Sequence, residues 1–330
     1  LIIAEAGVNH NGDPAMSLAL VDAASAAGAD VVKFQTFRAD RLVTQAARKA
    51  EYQVRTTGGD ESQLAMLRRL EMTTAMHEAV IARCAERGIE FLSTGFDEDS
   101  IDLLVGLGIT RLKIPSGEIT NLPYLRHVGH LGLQVLLSTG MATLADIEGA
   151  LEVLADAGTP RERVTILQCT TEYPAPMADV NLKAMDTIRD AFGVSVGFSD
   201  HTQGITAAIA AVARGATVIE KHFTLDRTLP GPDHQASLEP DELRNLVAAI
   251  RDVEAALGDG HKRPTESERR TRTVARRSIV AARPIRAGEV LTEADLAAKR
   301  PGGGLSPMRW HEVIGRPASR DFAEDEWIVL

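Results

Sequence analysis

Short strand-like runs alternate with amphipathic helical stretches through about the first 257 residues. The runs are Leu1–Glu5, Asp30–Gln35, Glu90–Thr94, Arg111–Ile114, Gln134–Ser138, Val164–Cys169, Val194–Thr202 and Ala216–Thr224. Between them, 3.6-residue periodicity predicts helices over Ala15–Ala27 behind Pro14, Glu61–Leu70, Thr74–Arg87, Ser100–Leu107, Leu122–Gly129, Leu144–Ala157 and Gly204–Gly215. A last long helix is predicted over Glu239–Leu257, and Phe37–Gly59 reads as a longer, mixed excursion. Eight strands with intervening helices in this length match an α/β fold of the (β/α)8 TIM-barrel type. An open doubly wound sheet is the alternative. It usually places a glycine-rich phosphate loop after its first strand, and the chain has neither a GxGxxG nor a Walker pattern.

The pattern changes after Leu257. Residues 258–277 are polar and rich in Lys and Arg, and read as a solvated linker. Residues 278–330 carry short strand-like pieces and glycine turns, which predicts a small β-rich domain, marginal in isolation. The expected division is therefore a catalytic barrel over 1–257, the linker, and the small domain. Composition narrows the function. A formal net charge of −10 argues against nucleic acid as a partner. No apolar run approaches the ~20 residues of a membrane span. The two cysteines, Cys84 and Cys169, read as reduced core thiols, so a cytoplasmic setting is expected. The chain opens on Leu1-Ile2-Ile3-Ala4 without methionine or signal peptide, so a few native residues are expected to precede it.

A barrel interior is ordinarily filled by branched apolar side chains. Here the strand ends carry Glu5, Lys33, Gln35, Thr94, Lys113, Ser138, Ser199, His201, Glu220 and His222. Side chains alternate faces along a strand, so Ser199 and His201 share a face, as do Glu220 and His222. Adjacent strands lie roughly 4.8 Å apart, so the two imidazoles can grip one ion while leaving open positions for water and substrate. Ionised groups buried without partners cost several kcal/mol each, so a ring of them implies mutual pairing or a charged ligand. Lys33, Lys113, Ser116, Ser138 and Ser199 together form a candidate anion cradle, and Glu118 beside it is a candidate general acid or base.

Several stretches resemble the bacterial sialic acid synthase family, which includes legionaminic and pseudaminic acid synthases. They are Ala4 to Gly12, Val32-Lys33-Phe34-Gln35-Thr36, Lys113-Ile114-Pro115-Ser116-Gly117-Glu118, Leu137 to Met141, Ser199-Asp200-His201-Thr202, Glu220-Lys221-His222-Phe223-Thr224 and Arg227 to Asp233. The tail, with Ile285 to Glu289 and Lys299 to Gly304, resembles that family's C-terminal SAF (antifreeze-like) domain. The resemblance implies condensation of phosphoenolpyruvate with an open-chain N-acylated mannosamine, giving a nine-carbon 2-keto sugar acid and phosphate. It implies that Gln35 and Thr94 join the cradle, and that His201 and His222 hold Mn2+, or Mg2+ or Co2+ in its place. Glu5 and Glu118 become acid–base candidates, with Tyr173 and Asp233 on the sugar side. It further implies a domain-swapped homodimer in which Arg300 of the partner subunit caps the site. One departure bears on the sugar: Thr171 stands where typical N-acetylneuraminate synthases have asparagine. N-acetylmannosamine is the leading acceptor, and the alternative is the 6-deoxy diacetamido sugar of legionaminic acid. A pseudaminic acid synthase is a weaker reading. Two other classes remain open, namely another divalent-metal barrel enzyme, such as an aldolase, and a non-catalytic binding protein.

Overall fold

A computed structural model describes all 330 residues, which divide into two compact units, Leu1–Gly258 and Asp259–Leu330. The first unit holds eight strands: β1 (Ile2–Gly7), β2 (Val31–Thr36), β3 (Glu90–Gly95), β4 (Arg111–Ile114), β5 (Gln134–Ser138), β6 (Val164–Cys169), β7 (Ser195–Asp200) and β8 (Ile219–His222). All ladders are parallel, in the order β3-β2-β1-β8-β7-β6-β5-β4. The outer strands β3 and β4 lie side by side and complete the ring. This is the expected (β/α)8 barrel.

Strand alternation sorts the residues into layers. Ile3, Val31, Leu92, Leu136, Leu167 and Val218 point inward and pack as one buried cluster. Gly197 occupies the same level on β7, where a Cβ would lie 2.5 Å from the Leu167 side chain, so only glycine lets that leucine fill the axis. Two residues further along each strand, the same face carries Glu5, Lys33, Thr94, Ser138, Cys169, Ser199 and Glu220. An apolar plug thus closes the barrel directly beneath the polar layer. The outward faces bury Val32, Phe34, Leu137, Ile166 and Phe198 against the helical shell.

Two stretches differ from the sequence-based expectation. Helix Lys183–Phe192 was not anticipated. Met185 and Ile188 are buried and Leu182 and Phe192 pack beside them, an apolar stripe at helical spacing that was legible in the sequence. Residues 258–277, expected to be a solvated linker, are almost wholly exposed, yet contain helix Glu266–Ala275. A capping box between Thr265 and Glu268 starts this helix, and no residue in it is buried. In the second unit, β9 (Ser278–Ala281) and β10 (Leu296–Lys299) pair antiparallel over a small core that includes Ile279, Ile285, Leu291, Val313, Phe322 and Ile328.

Candidate active site

The carboxyl ends of the strands surround a cavity of about 400 Å³. Its floor is the polar layer. Lys33 Nζ lies 2.8 Å from Glu5 Oε2 and 3.7 Å from Glu220 Oε2, and donates to Thr94 Oγ1 at 2.8 Å. Lys113 Nζ lies 3.5 Å from Glu220 Oε1, which also accepts from Ser199 Oγ at 3.0 Å. Gln35 Nε2 donates to Glu5 Oε1 at 3.3 Å. Ser138 Oγ is buried without a hydrogen-bond partner, although it borders the cavity. Native interiors seldom leave such a group unpaired, and a ligand oxygen would satisfy it.

Burial sets the electrostatics. It pushes the Glu5 carboxyl up to about 7 despite Lys33, with the nearby Glu220 charge adding to the rise. Burial also works against charge on Glu220, but Lys113 and Lys33 override it and hold that carboxyl below its usual range. Burial alone would lower Lys33; Glu220 and Glu5 instead hold it above the ordinary lysine value. Lys113 is lowered, chiefly by burial. With Glu5 protonated, two ammonium groups face one carboxylate, an excess of positive charge suited to an anion.

Above this floor sits an aromatic group. The His201 and His222 rings have centroids 5.6 Å apart, with Tyr173 4.2 Å from the first and 5.6 Å from the second. His201 Nδ1 bonds the Thr170 carbonyl at 2.7 Å, which fixes the proton there and leaves the Nε2 lone pair 3.5 Å from Ser199 Oγ, whose own proton goes to Glu220. His222 Nδ1 is buried with no partner. Burial lowers His201 to about 4, and burial with the His201 charge takes His222 well below the ordinary histidine value. Two neutral imidazoles on neighbouring strand ends, with nitrogen lone pairs unclaimed, fit a divalent cation that keeps positions open.

The rest of the wall comes from loops. Ser116 Oγ lies 3.2 Å from Cys169 Sγ and accepts from Gly140 N at 2.9 Å. A Cβ at position 140 would meet Thr171 Oγ1 at 2.0 Å, so the glycine allows these loops to close on one another. Asp233 borders the cavity, and burial pushes its carboxyl up to about 6. Tyr52, on helix Glu51–Thr57 of the mixed excursion, packs on Tyr173 at 5.0 Å. The far side is apolar, formed by Phe37, Leu42, Val43, Met66, Leu67, Leu70 and Phe96.

Thirteen of the candidates thus border one cavity: Glu5, Lys33, Gln35, Thr94, Lys113, Ser116, Ser138, Thr171, Tyr173, Ser199, His201, His222 and Asp233. Glu118 does not. The chain after β4 turns through a short 3-10 segment, Ser116–Glu118, and the Glu118 carboxylate accepts from Asn121 Nδ2 at 2.6 Å instead of joining the wall. Arg300 belongs to the second unit, where it is exposed just after β10. Sequence reading left Glu220 unassigned although it stood in the polar ring, and strand parity alone would have found it. Tyr52 and Gln53 carried no readable signal.

The NeuB family model matches residues 20–262, and the SAF domain model matches residues 276–330. The chain is 52% identical to an N,N'-diacetyllegionaminic acid synthase of Campylobacter jejuni, over 99% of this chain and 98% of that protein. It is 47% identical to a protein of the same name from Legionella pneumophila, over 98% and 91%. Among solved structures, an N-acetylneuraminic acid (sialic acid) synthetase of Leptospira borgpetersenii, crystallised with citrate, matches with a TM-score of 0.73 and 33% identity. That match covers 82% of this chain and 89% of the other. Similarity at this level over nearly the whole length settles the kinship: the chain belongs to the NeuB family and ends in a SAF domain.

Proposed function

We propose that the protein is a nonulosonic acid synthase, joining phosphoenolpyruvate to the open-chain aldehyde of an N-acylated mannosamine-type sugar. The enol carbon forms the new C–C bond, water adds at the neighbouring carbon, and inorganic phosphate leaves. The observation that carries this reading is the paired floor of Lys33, Lys113, Glu5 and Glu220 beneath two neutral imidazoles.

Lys33 and Lys113 receive the carboxylate and phosphate charges, and Ser116, Ser138 and Ser199 supply hydroxyl donors around them. Thr94 and Gln35 hold Lys33 and Glu5 in place. Glu5, poised at about 7, is the general acid–base group, able to give a proton to the developing alkoxide or take one from the attacking water. Glu118, on the loop after β4 with its carboxylate accepting from Asn121, is the second acid–base candidate. His201 and His222 would hold a divalent cation, Mn2+ foremost, which when bound polarises the aldehyde oxygen. The apolar plug below and Tyr173 above limit the access of bulk water. The reading extends to a cytoplasmic homodimer in which Arg300 of the partner subunit meets the substrate. The family likeness supports that extension, and mixing inactive Arg300→Ala and Lys33→Met subunits tests it through recovered activity.

For the acceptor, the 6-deoxy diacetamido sugar is favoured over N-acetylmannosamine. Thr171 offers a hydroxyl and a methyl where an amide would suit a more hydroxylated sugar. The apolar wall from Phe37 to Phe96 suits a C6 methyl and two acetyl methyls, and the relatives at 52% and 47% identity carry the legionaminic name. Phosphate release with Mn2+ is the test, comparing 2,4-diacetamido-2,4,6-trideoxymannose with N-acetylmannosamine. Faster release with the first is expected. Preference for the second would return the assignment to N-acetylneuraminate, and no release with either would overturn the condensation.

A further inference from the structure

The two residues that directly precede the imidazoles do not face the cavity. Asp200 stands before His201 and Lys221 before His222, and strand alternation turns both to the outer face of the barrel. They are register partners across β7 and β8, and both are buried at 1% exposure. Lys221 Nζ lies 2.9 Å from Asp200 Oδ2 and also donates to the Thr202 carbonyl. Asp200 Oδ1 accepts from the Thr202 amide and hydroxyl, each at 2.8 Å. One carboxylate therefore closes a turn around His201, and the ammonium beside His222 grips both ends of that turn.

We propose that the Asp200–Lys221 pair is a positioning strut that sets the spacing of His201 and His222 for a divalent cation, from the face opposite the site. The inference rests on the metal reading given above. β7 ends at Asp200; the His201 carbonyl is bound by Ala175 N at 2.8 Å in the loop after β6, and no ladder bond beyond Asp200 holds His201 to β8. The side-chain bonds of Asp200 and Lys221 take over that task. A pair serving stability alone has no need to be directional, since an apolar pair of similar volume is often as stable as a buried ion pair. Three directed contacts on the single residue after His201 are what a spacing role requires.

The test is Mn2+ binding followed by electron paramagnetic resonance on the full chain, with phosphoenolpyruvate binding measured separately without metal. In Asp200→Asn/Lys221→Met both charges disappear together and the volume is kept, so the barrel is expected to melt near the wild-type temperature. Its Mn2+ affinity is expected to fall about 10–100-fold, the range typical of lost support around metal ligands, with phosphoenolpyruvate affinity unchanged. Wild-type Mn2+ affinity in the folded variant would overturn the strut. An equal loss for both ligands would overturn it too, as a general collapse of the site. Asp200→Glu keeps the charge paired with Lys221 while displacing the bonds to Thr202, and is measured in the same way should the double variant fail to fold. Absence of Mn2+ binding to the wild-type protein would instead overturn the metal reading, an outcome separable from failure of the strut.

Discussion

Glu5 is a carboxyl that the fold holds at a cost, and Glu5→Gln makes that cost measurable. The residue is 1% exposed, and burial lifts its pKa from 4.5 to about 7 even with Lys33 at 2.8 Å. A folded-state value above the unfolded one means that the protonated form is favoured by folding. That contribution is fully present below about 4.5 and lost as the pH rises through about 7. At pH 8.5 the penalty of folding around the carboxylate is about 3 kcal/mol, from ~1.4 kcal/mol per pH unit of displacement. At pH 5 it shrinks to about 1 kcal/mol. Glutamine mimics the protonated acid, and Gln35 can turn its own amide to suit it. The variant should therefore melt roughly 6–12 °C higher than wild type at pH 8.5, at roughly 2–4 °C per kcal/mol for a unit of this size. The gap should narrow at pH 5. Condensation should fall by about 10²–10⁴, with the limb of the pH–rate profile near 7 abolished. Differential scanning calorimetry at the two pH values, with phosphate-release kinetics, checks both halves. A variant less stable than wild type at pH 8.5 would refute the electrostatic argument, and an unchanged rate would refute the acid–base role.

Gly140→Ala should raise the phosphoenolpyruvate KM and lower kcat, because its Cβ would sit 2.0 Å from Thr171 Oγ1 and 3.0 Å from Ser116 Oγ. Overpacking of this kind costs about 1–3 kcal/mol, and adding Thr171→Ala should recover part of the loss in steady-state assays. His10 is fully buried, its Nδ1 accepting from Gly12 N at 3.0 Å, and burial together with the His77 charge lowers it to about 4. The unfolded chain takes up this proton first, so its contribution is complete above about 6.5 and is lost as the pH falls towards 4, on the order of 3 kcal/mol in all. Denaturant titrations between pH 7.5 and 4 should show a shallower decline in His10→Asn than in wild type.

Strand positions and the inward face were legible because a period of two is rigid. Once Lys33 and Gln35, or Glu220 and His222, are seen two apart, their common face follows without further information. Seven strand ends supplying polar inward groups then made the mouth of the barrel readable as a site. Loops carry no such rule. Glu118 lies two residues from Ser116 in sequence, but a 3-10 turn carries its carboxylate to Asn121. Tyr52 and Gln53 reach the cavity from a segment without periodicity, held by tertiary contacts such as Tyr52 on Tyr173. Helix Lys183–Phe192 was legible by contrast, since Leu182, Met185, Ile188 and Phe192 recur at helical spacing.

The layering also explains why the polar floor is so strongly perturbed. Ile3, Val31, Leu92, Leu136, Leu167 and Val218 seal the barrel from below, so Lys33, Lys113, Glu5 and Glu220 meet solvent only through the cavity. In that low-dielectric setting each charge acts more strongly than at a surface, and each is more costly when left alone. Mutual pairing offsets part of the cost, but Lys113 at 3.5 Å and Lys33 at 3.7 Å from Glu220 are loosely held. A dianion entering above them gains two ammonium partners with little rearrangement of the floor. Its negative charge would raise the Glu5 pKa further, so substrate binding itself would keep a proton on the group proposed above as the acid.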